Sequence, residues 1–480
     1  MASQTQPLHM LFFPFMAASH MIPMVDMAKL FAARGVKVTI LTTPSNAETI
    51  KSAIESGHQA IALALIPFPS VAVGLPEGCE NLSAVPTIEL QNRFCRALAT
   101  LRQPFDRVLI DLLPDCVVSD SFLPWTYEIA ANYNMPRLVF HGTSHFSICI
   151  SDSFDRHVPV VSLAPDGHEC LIAPGLPHRI EMLRSQMPDL TGSGSDLPQL
   201  LAEEANLKSY GMVMNSFYEM EPEYVRHFQK VLDRKSWNVG PVSLYNKDTI
   251  EMRSRGHTSV VDVNNCLKWL DGKSSGSVVY IAFGTLGEMG MDQVREIALG
   301  LEASGRPFIW VVRNVDWLPE DYEDRVGDRG MVIRGWAPQV LILSHQAVGG
   351  MVTHCGWNTC LEGVSTGVPM VTWPFFEEHF FNERLIVELL GIGVSLGVKE
   401  CAIKKERPVV DSAKIERAVN RLMSVGDEAE ERRRRARELG EKAKRAIEEG
   451  GSSYIDVGNL IAELSCKRRP VHDKIPAVSP

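Results

Sequence analysis

Residues 336–379 read WAPQVLILSHQAVGGMVTHCGWNTCLEGVSTGVPMVTWPFFEEH, and this stretch decides how the chain folds and what it can hold. A short apolar strand over residues 350–353 runs through His354-Cys355-Gly356-Trp357 into a helical segment from about Asn358. The start of a helix attracts anions, because its first N–H groups lack partners and the backbone dipoles sum there to partial positive charge. Gly356 joins the strand to that helix, Asn358 and Thr359 add side-chain donors at its start, and His354 at the strand's C-terminal edge can donate to the same diphosphate. Trp336 offers a flat apolar face for a nucleobase, and Glu362, one helical turn beyond Asn358, can accept hydrogen bonds from both hydroxyls of a ribose. With sugar acceptors at the end of the stretch, the anatomy is that of a nucleotide-sugar site.

Working outward, residues 8–15 form an apolar run, 22–33 have helical spacing with Pro23 in the first turn, and 36–42 are β-branched and apolar. This β-α-β pattern recurs at 116–119, 125–131 and 137–140, which predicts a parallel doubly wound sheet. A second set begins with a strand at 277–283, a helix at 291–304 and strands at 307–312 and 330–335. The fold class is therefore α/β, with two Rossmann-like doubly wound domains. Residues 240–264 mix Gly, Pro, Ser and charges without apolar periodicity and read as a linker or mobile loop. One long helical pattern spans 411–446 and stops at Gly450-Gly451-Ser452-Ser453, 454–464 reads as a last amphipathic helix, and 467–480 as a frayed tail.

His20 falls in the loop between the first strand and its helix, and Asp120 ends the strand 116–119. Both are C-terminal edges of a parallel sheet, where open sheets place ligands. By position alone His20 is equally an ordinary helix-entry histidine and Asp120 a helix N-cap.

Composition narrows the function classes. A chain of 480 residues with 45% hydrophobic content can build two or three domains with proper cores. A net charge of −10 and a pI near 5.8 argue against nucleic acid as a partner. The basic run 432–435 sits among Glu428, Glu430, Glu431 and Glu438 and reads as a solvated helix face. Ten cysteines scattered singly, with no C-x-x-C pair, imply a reducing compartment. The N-terminus lacks a signal pattern and no run of about eighteen apolar residues occurs, so the expectation is a soluble cytosolic protein without an integral membrane segment. No cluster has metal-ligand spacing.

The stretch 336–379 resembles the signature box of plant family-1 secondary-product glycosyltransferases, which move a sugar from a UDP-sugar to a small lipophilic acceptor. The likeness extends over essentially the whole chain: Met16-Ala17-Ala18-Ser19-His20 resembles the family's histidine motif, with Ser19 where Gly is common, and Ser119-Asp120-Ser121-Phe122-Leu123-Pro124-Trp125 resembles its aspartate motif. The resemblance implies a GT-B architecture: an acceptor-binding domain over 1–245, a UDP-sugar-binding domain over 246–455, and a C-terminal helix and tail over 456–480 that brace the first domain. It makes His20 the general base and Asp120 its orienting partner. Trp336 would stack on uracil, the backbone near Ala337 and Gln339 would read the base edge, and Glu362 would hold the ribose. His354, Asn358 and Thr359 would hold the diphosphate, with Gly284 and Thr285 as further candidates, while Trp357, Glu378 and His379 would face the transferred sugar. Partners would be a UDP-sugar and a small lipophilic acceptor, with no metal and no cofactor, in a monomer. Thr359 stands where Ser is usual and keeps the hydroxyl, and Cys360 only packs. His379 stands where Gln is commonest; in the family His tends to accompany galactose, occasionally arabinose, and Gln glucose, so the resemblance points to UDP-galactose, with UDP-glucose next. UDP-glucuronate would want a cation such as Arg34, itself at a helix end. The segments HMIPMVDMAKLFAARG and VFHGTSHFS resemble the branch that glycosylates triterpenoids, steroids and flavonoids, which points to triterpenoid sapogenins or their glycosides.

Three enzyme rivals fail on context, and a carrier counts for less. Gly363-Val364-Ser365-Thr366-Gly367 is a literal G-x-S-x-G, but a helical segment precedes it and a β-type run follows, the reverse of a nucleophile elbow. Gly391-Ile392-Gly393 lacks the third glycine of a dinucleotide fingerprint at the right spacing, and Leu267 occupies the first-glycine place of the P-loop suggested by Gly272-Lys273-Ser274. A non-enzymatic carrier would need neither His20 nor Asp120. Candidate acceptor walls are Phe94, Phe122, His141, Phe146 and the stretch 183–201.

Overall fold

The strand-helix alternation builds two parallel sheets. The structure, a computed structural model, describes residues 6–468 apart from 58, 86, 158–168, 188–202, 257–261, 285–288, 313–317, 319–320, 377 and 402–406. The first half of the chain supplies β1 (His9–Phe13), β2 (Lys37–Thr42), β3 (Ile61–Leu65), β4 (Cys116–Asp120) and β5 (Arg137–His141). An antiparallel hairpin, β6 (Cys170–Ala173) and β7 (Ile180–Leu183), precedes β8 (Gly211–Met214) and β9 (Ser236–Asn238). The second half supplies β10 (Val278–Ala282), β11 (Phe308–Val312), β12 (Gly330–Arg334), β13 (Val348–Thr353), β14 (Met370–Thr372) and β15 (Gly393–Ser395). The sheet orders are β3-β2-β1-β4-β5-β8-β9 and β12-β11-β10-β13-β14-β15. Every residue of β1, β4 and β10 is buried, as befits strands covered by helices on both faces. Strand order reverses between β1 and β4 and again between β10 and β13, and crevices at such switch points are where open α/β sheets bind ligands.

Four local differences from the sequence pattern have physical reasons. The first helix spans Ala18–Ala33 and so begins before residue 22, because the extended Ala17 lets its carbonyl accept from His20 N (3.0 Å) and Met21 N (2.9 Å). Pro23 therefore lies within the helix, where it cannot donate to the carbonyl of Ser19. His20 thus stands on the helix's first turn and not in a loop. The segment 240–264 is largely ordered rather than loose: Val242–Tyr245 forms a 3₁₀ turn, and Thr249–Ser254 a helix whose Asp248 cap accepts from Glu251 N at 2.8 Å. The long C-terminal pattern is two helices, Ser412–Met423 and Asp427–Ile447, broken at Gly426, whose φ of 128° is a conformation side-chain-bearing residues rarely adopt. Finally, β3, β6 to β9 and β15 are too short or too exposed to announce themselves by periodicity.

The last helix, Ser452–Cys466, packs on the first sheet. Val457, Leu460 and Leu464 are buried in one core with Met10, Phe12, Val38 and Trp237, each such burial contributing about 1.5–3 kcal/mol. Asp456 accepts from Asn238 N at 2.9 Å, and the Arg34 guanidinium lies 3.8 Å over the Tyr454 ring. Arg468, from the stretch read as frayed, pairs with Asp115 at 3.2 Å; residues 469–480 lie outside the described residues.

Candidate active site and donor site

Two sheet edges bring His20 and Asp120 together. Asp120, the last residue of β4, is wholly buried and places Oδ2 2.8 Å from His20 Nδ1, while its Oδ1 accepts from Phe122 N at 3.0 Å. The imidazole is 16% exposed, so it reaches the cleft from a buried anchor. The rings of Phe15 and Phe122 stand edge-on to it, each at 5.3 Å. Behind Asp120, the buried Arg137 donates to Ser119 Oγ (2.7 Å) and to the Asp120 carbonyl (3.0 Å), fixing the end of β4. His141, at the end of β5, is pushed down to about 4 by burial, against the pull of Asp120, and is therefore a neutral imidazole at neutral pH.

Across the cleft, the C-terminal ends of β10 and β13 carry Gly284 and His354. An added Cβ on Gly284 would fall 2.6 Å from the His354 ring and one on Gly356 2.5 Å from its Nε2, so both glycines are required for the ring to sit between them. Cys355 turns the chain with φ of 67°, held by Thr353 Oγ1 accepting from its N–H at 3.1 Å. The helix Trp357–Thr366 starts there, presenting Asn358 and Thr359 in its first turn and Glu362 one turn on. Glu362 accepts from Gln339 Nε2 at 2.6 Å, and Tyr280 OH donates to Gln339 Oε1 at 3.2 Å. The Gln339 side chain is thus engaged with Glu362. His379 begins the helix His379–Arg384, perpendicular to His354 at 4.9 Å, and its Nδ1 is buried without a hydrogen-bond partner among the described residues. Burial first, then His354 and Arg407, hold its pKa well below the usual imidazole range.

One cavity of about 920 Å³ is lined by His20 and by Gly284, Trp336, Ala337, Gln339, His354, Gly356, Trp357, Asn358, Thr359, Glu362, Glu378 and His379. Asp120 stands behind His20 rather than on the wall; Thr285 lies outside the described residues. Two of these side chains also bridge the domains. Asn358 Nδ2 donates to the Ser19 carbonyl at 2.6 Å, the carbonyl that Pro23 leaves without a helix N–H, so at the cavity wall its side chain also ties the domains together. Trp357 is only 2% exposed, and its Nε1 donates to the Asn215 carbonyl at 2.8 Å, again from one domain to the other. Of the expected acceptor walls, Phe122 and His141 line the cavity, but Phe94 and Phe146 are fully buried core residues. Leu183 does not line the cavity, whereas Arg184 and Met187 do, and 188–201 lie outside the described residues. The sequence reading missed Ser121 and Thr143, whose buried hydroxyls line the cavity with no hydrogen-bond partner among the described residues, and Arg255 from the linker. Their only signal was proximity to the two sheet edges and, for Arg255, none.

The rival chemistries find no support in the geometry. Ser365 is buried inside a helix and donates to the Leu361 carbonyl at 2.8 Å, so it is no nucleophile. Arg432, Arg433, Arg434 and Arg435 each pair with a glutamate three or four residues away on their own helix. Among the described residues, no group of three or more His, Cys, Asp or Glu could hold a metal, and no helix is long and apolar enough to cross a membrane.

Known proteins are similar to this chain in sequence and fold. Residues 220–407 match the family model of UDP-glucoronosyl and UDP-glucosyl transferases. The chain is 47% identical over 472 residues to the scopoletin glucosyltransferase of Nicotiana tabacum, covering 95% of this chain and 98% of that one. It is 45% identical over 474 residues to UDP-glucose flavonoid 3-O-glucosyltransferase 7 of Fragaria ananassa, covering 96% of each. The crystal structure of Glycyrrhiza uralensis UGT73P12, complexed with glycyrrhetinic acid 3-O-monoglucuronide, superposes with a TM-score of 0.89 at 41% identity over 96% of both chains. The two facing Rossmann-like sheets are a GT-B fold, and enzymes of this kind use a UDP-sugar donor without a metal cofactor. The chain belongs to plant family 1 of UDP-dependent glycosyltransferases and is a UDP-glycosyltransferase.

Proposed function

We propose that the enzyme transfers a hexose, with inversion, from a UDP-hexose to a hydroxyl of a lipophilic plant secondary metabolite, acting as a cytosolic monomer. The observation that carries this reading is that His20, backed by Asp120, and the helix start at Trp357 face one cavity from opposite domains. With Nδ1 committed to Asp120, Nε2 is the ring's basic nitrogen; it takes the acceptor's proton as the acceptor oxygen attacks the anomeric carbon. Asp120 fixes the tautomer and stabilises the imidazolium that forms. UDP leaves from the opposite face, its developing charge met by His354, Thr359 and the free backbone N–H groups of the helix start, Asn358's among them. Trp336 stacks on uracil, with the backbone near Ala337 and Gln339 at its edge, and Glu362 accepts from the ribose.

For the donor sugar, a neutral His379 offers one donor and one acceptor nitrogen in a fixed plane where a carboxamide would offer both together. That difference supports UDP-galactose as the donor, with UDP-glucose next. For the acceptor we favour a triterpenoid sapogenin or saponin, a reading supported by the glycyrrhetinic acid 3-O-monoglucuronide bound in the superposed structure; the scopoletin and flavonoid glucosyltransferases favour a phenolic or flavonoid as the alternative. Arg34 is engaged with Tyr454 in bracing the last helix, which weighs against it as a partner for a glucuronate. The test is a matrix of specificity constants for purified enzyme with UDP-galactose and UDP-glucose against a triterpenoid alcohol, a flavonol and a coumarin. Turnover confined to the phenolic acceptors would overturn the triterpenoid reading, and a strong preference for UDP-glucose would overturn the galactose one.

A further inference from the structure

The linker enters the nucleoside half of the donor site. Arg255, directly after the helix Thr249–Ser254, is 10% exposed and bridges two buried carboxylates: Nε donates to Asp26 Oδ2 at 2.7 Å and Nη1 to Glu362 Oε1 at 2.5 Å. Asp26 belongs to the helix after β1 and Glu362 to the helix after β13, so one guanidinium joins the two domains. The bridge has its own supports. Asp26 Oδ1 accepts from Asn246 Nδ2 at 2.8 Å, and Asn246 Oδ1 accepts from Lys29 Nζ at 3.1 Å. On the far side, Glu362 Oε2 accepts from Gln339 at 2.6 Å. The next residue, Gly256, has φ of 88°, and a Cβ there would fall 2.2 Å from Trp336 Cζ2. The backbone of residue 256 thus presses on the edge of the indole.

We propose that Arg255 and Gly256 are positioning residues for nucleoside recognition, Arg255 by fixing the Glu362 carboxylate and Gly256 by backing Trp336. The proposal rests on the reading of Glu362 as the ribose acceptor and Trp336 as the base platform. A carboxylate has about four lone-pair sites. Arg255 and Gln339 each take one on different oxygens, which leaves one lone pair on each oxygen for the two ribose hydroxyls and removes the side chain's freedom to rotate away from them. Lysine cannot substitute fully, because a single ammonium lacks the fork that reaches two carboxylates from two nitrogens.

The experiment compares binding of UDP and 2′-deoxy-UDP by calorimetry, since loss of one ribose hydroxyl reports on Glu362 while a general loosening of the fold lowers both affinities alike. In Arg255→Met, UDP affinity should fall about tenfold and the preference for UDP over 2′-deoxy-UDP should shrink by a similar factor, with Arg255→Lys in between. Gly256→Ala should weaken both nucleotides equally, leaving the preference intact, because it disturbs the base platform and not the ribose contact. An unchanged preference in Arg255→Met, or an equal loss for both nucleotides there, overturns the proposal. Glu362→Gln separates the two layers: if that variant keeps the wild-type preference, the ribose reading of Glu362 is what fails. Should Arg255→Met not fold, Asp26→Asn, which loosens the far end of the same bridge, must show a reduced preference or the proposal falls.

Discussion

Replacing Asp120 by Asn tests the catalytic reading most sharply, because the geometry dictates what the amide must do. The side chain is wholly buried and each oxygen has an assigned partner: Oδ1 accepts from Phe122 N at 3.0 Å and Oδ2 faces His20 Nδ1 at 2.8 Å. An amide of the same shape keeps its oxygen on the Phe122 N–H, since the reverse orientation would set N–H against N–H, and so turns its NH₂ toward Nδ1. The ring must then accept at Nδ1 and carry its proton on Nε2, where it meets the acceptor hydroxyl as a donor and not as a base. The negative charge that steadies the imidazolium is lost as well. In a serine-protease triad the corresponding change lowers turnover by about 10⁴, or about 5.5 kcal/mol of barrier, and a loss of that order is expected here. Initial rates would be measured with UDP-galactose and UDP-glucose at saturation, alongside calorimetric titration with UDP, whose affinity should stay within about threefold because Asp120 is wholly buried and does not line the cavity. Turnover within tenfold of wild type would falsify the dyad.

Other expectations are more local. Glu362→Ala should weaken UDP binding by about 1–3 kcal/mol, the scale of leaving hydroxyls and the Arg255 guanidinium without their partner; unchanged affinity contradicts the ribose role. His379→Gln should shift the specificity constant from UDP-galactose toward UDP-glucose, and if wild type already prefers glucose and the substitution changes nothing, residue 379 is not the selector. Glu383, buried between Thr372 and Ser395, is pushed up to about 7, chiefly by burial. Between pH 4.5 and about 7 the folded protein therefore holds a proton that the unfolded chain has released, so this residue's contribution to stability falls as pH rises, by about 3 kcal/mol over the window. Denaturant unfolding at pH 5 and pH 8 should show Glu383→Gln less sensitive to pH than wild type; parallel curves for the two proteins would exclude the effect.

The half of the cavity lined by the second domain was far more legible in the sequence than the half lined by the first, and the reason is chain distance. From Trp336 to His379 the side chains that line the cavity come from one strand-turn-helix and the segments flanking it, so local spacing encodes their arrangement. Cavity-lining residues of the first half such as Ile148, Leu171 and Met187 come from separate elements, and nothing in their neighbours separates them from core residues such as Phe94 and Phe146. Pro23 was read as a helix-start signal, which misplaced the helix entry and hid that His20 sits on its first turn. Arg255 was out of reach for a different reason: a charged residue in a polar linker reads as solvated, and only the two carboxylates it meets from both domains show otherwise.

The missing N–H of Pro23 also sets a rule for recombining this enzyme with its relatives. Ser19, one residue before His20, offers Asn358 a carbonyl for which no N–H of residue 23 competes. A hybrid that joined this second domain to a foreign first domain with an N–H at that place would share the carbonyl between its own helix and the Asn358 amide, and so weaken the seam next to His20. Compatibility between exchanged halves therefore depends in part on residue 23, far from any junction an engineer would choose in the linker.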